Sequence, residues 1–363
     1  MALPPLVEPV AALSDAERSR TARHTRLAGF GDVAQRRLAA ARIAVVGAGG
    51  LGSPVVLALA AAGVGELVVI DHDSVEHSNL QRQLLHRLDD LGSPKVDSAV
   101  RAAAGLSPET VVRPVRERLT PDNATRLLAG AHLVLDGTDT FDTREAVASA
   151  CETLGVPLVW GTVQGWDAQV TVFWNEPPLG VAPVSLGDLY PPGSVGDVPT
   201  CSDVGVLGVL CLQIGSLMAT EAIKLVTGVG EPLLGRVLVV DGLRARQHEV
   251  PLRASRMPVS APPPAAAARV PHVDPDALEG ALILDVRELD EVATGMIPGS
   301  RHVPLGAVLA DPTALLGADR VVVVCQAGVR ARRAAQALRD VGIDAAVLTG
   351  GIEAWAGATR VTA

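Results

Sequence analysis

Two groups of residues have the types and spacing to do chemistry. In the first, Gly47-Ala48-Gly49-Gly50-Leu51-Gly52 follows a strand-like run and opens a helical one. Several backbone N–H groups then sit at the positive end of a helix with no side chains in the way, an arrangement suited to phosphate. Taken alone, with Asp71 ending the next strand-like run, the loop reads by default as a dinucleotide site for hydride transfer, or more plainly as a tight turn. In the second group, Cys325-Gln326-Ala327-Gly328-Val329-Arg330 follows four valines and precedes a helical segment near Ala331. A thiol there meets loop N–H groups, a helix N-terminus and Arg330, which favour its thiolate over a free pKa of about 8.5.

The elements around these groups point to an α/β fold. Val/Ile/Leu-rich runs at Arg42 to Val46, Glu66 to Ile70, Val111 to Val115, Leu133 to Asp136 and Leu158 to Thr162 read as strands, with helical stretches at Leu51 to Ala62 and Ser93 to Ala104. Their alternation predicts βα units around a Rossmann-like, mostly parallel sheet. Gln169 to Trp174 follows too soon for a helical crossover and is expected to be antiparallel. Glu176 to Asp203 is rich in Pro and Gly and reads as one long loop. Ser260 to Ala268 runs three prolines into four alanines, a linker composition. Beyond it, strand-like runs at Leu282 to Asp285, Val321 to Val324 and Ala346 to Leu348 predict a smaller α/β domain. The expected division is residues 1–252, a linker at 253–270, and 271–363.

Composition narrows the partners. The 363 residues carry 40 acidic against 31 basic side chains, a balance that repels nucleic acid phosphates. Met1 to Val10 lacks the basic start and apolar run of an export signal. Val204 to Thr220 is apolar but interrupted by Gln213 and Ser216 and bracketed by Asp203, Glu221 and Lys224, so it reads as a buried helix rather than a membrane span. The four cysteines, Cys151, Cys201, Cys211 and Cys325, include no pair spaced as a metal knuckle, which suggests single thiols in a reducing cytoplasm. Cys151 and Cys211 lie in apolar helical stretches and are assigned to packing. Cys201, in Pro199-Thr200-Cys201-Ser202-Asp203, sits in the long loop just before a helix expected to lower its pKa.

The loop from Asp71 carries more: Asp71-His72-Asp73-Ser74-Val75-Glu76-His77-Ser78-Asn79-Leu80-Gln81-Arg82-Gln83, then Lys95, then Asp136-Gly137-Thr138-Asp139. Singly these are helix caps and solvated charges. In this order, Gly-x-Gly-Gly-Leu-Gly, Asp-x-Asp, Ser-Asn-Leu-x-Arg-Gln and Thr-Asp make Arg20 to about Pro251 resemble the ubiquitin-activating-type adenylyltransferases of sulfur carriers. The molybdopterin-synthase and thiamine-biosynthesis enzymes are among these. Pro271 to the C-terminus resembles a single rhodanese domain, through Leu284-Asp285-Val286-Arg287, Ile297-Pro298-Gly299-Ser300 and the C-x-x-G-x-R loop.

The resemblance implies ATP with Mg2+ as the nucleotide. Gly47, Gly49, Gly50, Gly52, Ser78 and Asn79 would line it, Asp71 would hold the ribose hydroxyls, Arg82 and Lys95 the phosphates, and Asp139 the magnesium ion. Thr140 replaces the family's usual Asn on the adenine side. Such a set stabilises charge on the phosphates while a carboxylate attacks the α-phosphate and pyrophosphate leaves. Arg20-Thr21-Ala22-Arg23-His24 resembles the motif whose second arginine reaches the partner subunit's nucleotide, so Arg23 would act in trans within a homodimer. The family's usual tyrosine is here Thr21. The paired C-x-x-C motifs of many relatives are absent, so no zinc is expected. Cys325, cradled with Arg330, would carry a persulfide, and Cys201 matches a loop cysteine that in some members bonds covalently to the carrier.

The implied substrate is a ubiquitin-like sulfur carrier protein ending in Gly-Gly, the product its thiocarboxylate, and the sulfur source a cysteine desulfurase or another sulfur donor. The pathway could be molybdopterin, thiamine, tRNA thiolation or another. Three rivals differ in class: an NAD-dependent oxidoreductase, a regulatory protein that binds without turnover, and an enzyme of protein conjugation acting through a Cys201 thioester.

Overall fold

The computed structural model describes residues 3–191, 205–253, 270–275, 278, 280–293, 295–315, 320–326 and 328–358. Cys201 and the Ser260–Ala268 stretch lie outside them. The chain divides into two compact units, Met1–Arg256 and Met257–Ala363.

In the first unit, β1 (Arg42–Val46), β2 (Glu66–Ile70), β3 (Val111–Val115), β4 (Leu133–Asp136) and β5 (Leu158–Gln164) pair in parallel. Four residues of β1, four of β2 and all four of β4 are buried, which explains why they are continuous apolar runs rather than alternating ones. After the Gly165-Trp166 turn, β6 (Asp167–Phe173) returns antiparallel on β5, as its early arrival predicts, and β7 (Arg236–Asp241) and β8 (Arg246–Pro251) continue the antiparallel edge. The order is β3-β2-β1-β4-β5-β6-β7-β8. The order in which strands are added reverses between β1 and β4, which remain parallel, and this is the switch point at which open α/β sheets bind ligands beyond their carboxyl ends.

The apolar stretch placed at Val204 to Thr220 is the helix Gly208–Thr227. Ile214, Met218 and Ala222 are fully buried. Glu221 and Lys224, expected to flank the helix, lie inside it and pair with each other at 2.5 Å, while Glu221 also accepts the Leu233 N–H at 2.8 Å. A charge neutralised three residues away does not stop a helix. Gly228 does, at φ +75°, where a side chain would be strained. Within the expected loop after Glu176, Val184 bridges back to Trp174 and Leu186–Leu189 forms one helical turn.

In the second unit, β9 (His272–Val273), β10 (Leu282–Asp285), β11 (Arg301–His302), β12 (Val321–Val324) and β13 (Ala345–Leu348) form a parallel sheet ordered β11-β10-β12-β13-β9. All four valines of β12 are buried, so the central strand delivers Cys325 directly from the core.

Candidate active site

A cavity of about 370 Å³ opens beyond the carboxyl ends of β1, β2 and β4. Gly47, Gly49, Gly50, Asp71, Asn79, Arg82, Lys95, Asp139 and Thr140 all line it. The structure therefore brings together residues that the sequence spreads over more than ninety positions.

The glycine loop is tied down from both sides. The Ala48 N–H donates to Asp71 Oδ2 at 2.8 Å, and Asp71 Oδ1 accepts the Asp73 N–H at 2.8 Å. Each Asp71 oxygen keeps further acceptor capacity for hydroxyls. Behind the loop, His86 is buried, its Nε2 bonded to Ala48 O at 3.0 Å and its Nδ1 to Ser98 Oγ at 2.7 Å. Burial lowers the His86 pKa. Neutral His86 thus donates from Nε2 and accepts from the Ser98 hydroxyl, coupling the loop to the helix Lys95–Ala104 that carries Lys95.

Gly52 and Ser78 do not line the cavity. Ser78 Oγ turns to Glu76 at 3.3 Å. Gly52 packs behind the loop, where an added Cβ would lie 1.7 Å from Gly47 O, so its glycine serves close backbone approach rather than ligand contact. Gly52→Ala is accordingly expected to cost about 3 kcal/mol or more by forcing the loop apart, visible as a Tm several degrees lower together with weaker nucleotide binding. An unchanged Tm would show that the loop relaxes freely.

Lys95 is only 6% exposed and donates to Asp73 Oδ2 at 2.8 Å. Burial pulls the Asp73 pKa upward, but Lys95, by hydrogen bond and charge, outweighs it and holds the carboxyl below its usual value. Two of the three Lys95 N–H donors remain available to a ligand. Arg82 Nη1 donates to Ser78 O at 3.1 Å, which braces the guanidinium at the cavity rim.

Asp136 ends β4 with its side chain fully buried, and burial raises its pKa. Its Oδ1 accepts the Thr138 N–H at 2.9 Å, turning the chain so that Asp139 emerges on the cavity wall. Asp139 is exposed and carries no hydrogen bond or ion pair among the described residues, in contrast to Asp71 and Asp73. A hard cation takes carboxylate oxygen readily, so Asp139 fits a magnesium ion arriving with a nucleotide. Thr140 pairs its hydroxyl with that of Thr143 at 2.7 Å.

Some wall residues receive no individual role from the sequence, although Gln83 closes the Ser-Asn-Leu-x-Arg-Gln motif. Arg144, 6% exposed, donates to Thr138 O and Thr162 Oγ1 and lies 5.6 Å over the Trp160 ring. Gln83, 4% exposed, lines the cavity with no partner for its Oε1 among the described residues. Cys211, assigned to packing, is buried but also forms part of the wall, 3.1 Å from where a Gly50 Cβ would stand. Arg23 is exposed on the short helix Ala22–Thr25 and does not line its own chain's cavity.

In the second unit Cys325 is 2% exposed, and its Sγ accepts the Gly328 N–H at 3.2 Å and the Ala331 N–H at 3.4 Å. These are the loop and helix-terminal donors expected for a thiolate cradle. Gly328, at φ +106°, permits the turn that aims them. The Arg330 guanidinium forks onto Glu291, at 2.5 and 2.6 Å.

Comparison with known proteins places both sites in context. The ThiF family matches residues 21–260 and the rhodanese-like domain residues 274–358. The chain is 41% identical over 379 residues to a protein of Mycobacterium tuberculosis named probable adenylyltransferase/sulfurtransferase MoeZ, covering 98% of this chain and 96% of that one. It is 42% identical over 245 residues to the sulfur carrier protein adenylyltransferase of Thermus thermophilus, covering 67% of this chain and 90% of that one. The crystal structure of Escherichia coli MccB superposes with a TM-score of 0.57 at 20% identity, over 66% of this chain and 70% of that one, a likeness of fold.

Proposed function

The chain belongs to the ThiF family, with a rhodanese-like domain behind it, and on that premise we propose that it adenylates a sulfur carrier protein and then supplies the sulfur. A carboxylate oxygen of the carrier's C-terminal Gly-Gly attacks the α-phosphorus of ATP, the bond to the β-phosphate breaks, and pyrophosphate leaves. The observation that carries this reading is the convergence of the glycine loop, Lys95, Arg82 and Asp139 on one cavity. Lys95 and Arg82 offset the charge that builds on the phosphates, Asp71 holds the ribose, and Asp139 holds Mg2+, which supplies further positive charge there. The ThiF-family match over residues 21–260 sets the oxidoreductase reading aside.

A persulfide on Cys325 then attacks the acyl-adenylate through its outer sulfur and expels AMP. Cleavage of the resulting acyl disulfide by a second thiol leaves the thiocarboxylate and a protein disulfide. The sulfur comes from a cysteine desulfurase or another donor, and the thiocarboxylate feeds molybdopterin, thiamine or thiolated-tRNA synthesis in the cytoplasm.

Carrier-dependent ATP–pyrophosphate exchange is the test, since exchange that ignores the carrier would end the proposal. The same assay addresses the homodimer in which Arg23 reaches the partner's nucleotide. Arg23→Ala and Lys95→Ala proteins, each impaired alone, should regain activity on mixing, because half of the sites in a hybrid dimer are intact. Absence of recovery after demonstrated subunit exchange would rule out action in trans.

A further inference from the structure

Glu291 stands on the short helix Leu289–Val292, 39 residues before Arg330, and accepts both of its terminal N–H groups in a fork-on-fork pair. The carboxylate is not a swinging group. Its Oε2 also accepts the Glu288 N–H at 3.0 Å, and its helix is pinned by Arg287, which is buried against Asp285 and donates to Gly295 O at 2.6 Å. The Arg330 hydrogen bond holds the Glu291 carboxyl down at about 2. A lowered pKa means the charge is present above the usual carboxylate range and lost only as pH falls through about 2, so the pair is ionised at neutral pH. With side chains 32% and 29% exposed, the pair borders solvent.

Among the described residues Cys325 Sγ is met by the neutral Gly328 and Ala331 N–H donors, while the positive charge of Arg330, five residues after Cys325, is matched by a fixed negative one. We propose that Glu291 is a positioning residue that selects the sulfur donor, by holding Arg330 as a neutral pair and so favouring organic persulfides over thiosulfate. In either case the Cys325 thiolate attacks the sulfane sulfur, a new S–S bond forms on Cys325, and the old S–S bond breaks. A persulfide releases a thiolate with the electron pair, and thiosulfate releases sulfite. No oxidant is needed. The difference lies in approach: thiosulfate brings two negative charges toward a thiolate, and a guanidinium tied to Glu291 offers them little compensation. An organic persulfide carries at most one charge on its reacting sulfurs, so it brings less repulsion to the thiolate and is served by the Gly328 and Ala331 N–H groups. Specificity arises here from withholding a contact from the wrong donor.

The inference rests on the sulfur-transfer reading, and its test separates the two. Cys325 persulfide formation is measured in the full chain with glutathione persulfide and with thiosulfate. In Glu291→Gln the thiosulfate-to-persulfide ratio of kcat/KM should rise about fivefold to tenfold, the scale of one partly exposed charge contact, mostly through a lower thiosulfate KM. Glu291→Asp should stay near the original ratio, and adding Arg330→Ala to Glu291→Gln should erase the gain. Circular dichroism confirms that each variant is folded. A folded Glu291→Gln with an unchanged ratio, or a gain that survives Arg330→Ala, overturns the donor-selection role. No persulfide on Cys325 of the unaltered chain with either donor overturns the sulfur-transfer reading and this role with it.

Discussion

Lys95→Ala is expected to lower carrier-dependent ATP–pyrophosphate exchange by roughly 10²–10³-fold, the loss typical of a preorganised charge contact to a transition state. Lys95 is nearly buried and its ammonium is positioned by Asp73, so little reorganisation is needed when charge builds on the phosphates. Removing it does a second harm. Asp73 is left facing incoming phosphates without its hydrogen-bonded counter-ion, and only the charges of His72 and Arg118 still oppose the effect of burial on the carboxyl. The double variant Lys95→Ala/Asp73→Asn separates the two effects. If Lys95 served only to neutralise Asp73, the double variant would recover most of the exchange. If Lys95 contacts phosphate, it stays impaired. Exchange at the original rate in Lys95→Ala alone would remove the proposed mechanism.

The parts of the fold that were legible are those where one physical cause dominates. Strands β1, β2, β4 and β12 are buried along nearly their whole length, and such burial writes itself as runs of Val, Ile and Leu. Helix limits obey several causes at once. Glu221 and Lys224 read as flanking charges because their pairing, and the bond from Glu221 to Leu233, are visible only in three dimensions. The single turn Leu186–Leu189 is too short to show a period.

The candidate site divides along the same line. Loops at the switch point carry their ligand-facing residues in compact motifs, so Asp71, Asn79, Arg82, Lys95 and Asp139 were readable in the sequence. Residues that reach the cavity by packing were not. Cys211 arrives because the helix Gly208–Thr227 lies so close to the motif loop that a Cβ on Gly208 would sit 2.1 Å from Gln81 O. His86 and Arg144 act through backbone carbonyls of the loops, and a carbonyl leaves no trace in residue type. Glu291 belongs with them, since its bond to Arg330 joins the helices Leu289–Val292 and Val329–Asp340, which are far apart in the sequence of the second unit.

The division of labour between the two units gives the other large effect. Cys325→Ala removes the thiol that the Gly328 and Ala331 N–H groups surround and touches none of the residues lining the nucleotide cavity. Carrier-dependent pyrophosphate exchange should therefore persist, while persulfide-dependent thiocarboxylate formation should fall by at least about 10³-fold, as expected when a covalent relay loses its nucleophile. The acyl-adenylate then accumulates or hydrolyses slowly. Mass spectrometry of the carrier reports the outcome, because relay through sulfur replaces one terminal oxygen and adds about 16 Da. Alanine creates only a small gap in place of the sulfur, so a well-folded variant is expected and an unchanged thermal transition of the second unit would confirm it. A Cys325→Ala protein that still transfers persulfide sulfur efficiently would show that the rhodanese-like domain is not the relay. The thiol of Cys201 would then have to take sulfur directly from the donor, and a Cys201→Ala/Cys325→Ala protein would be the one that fails.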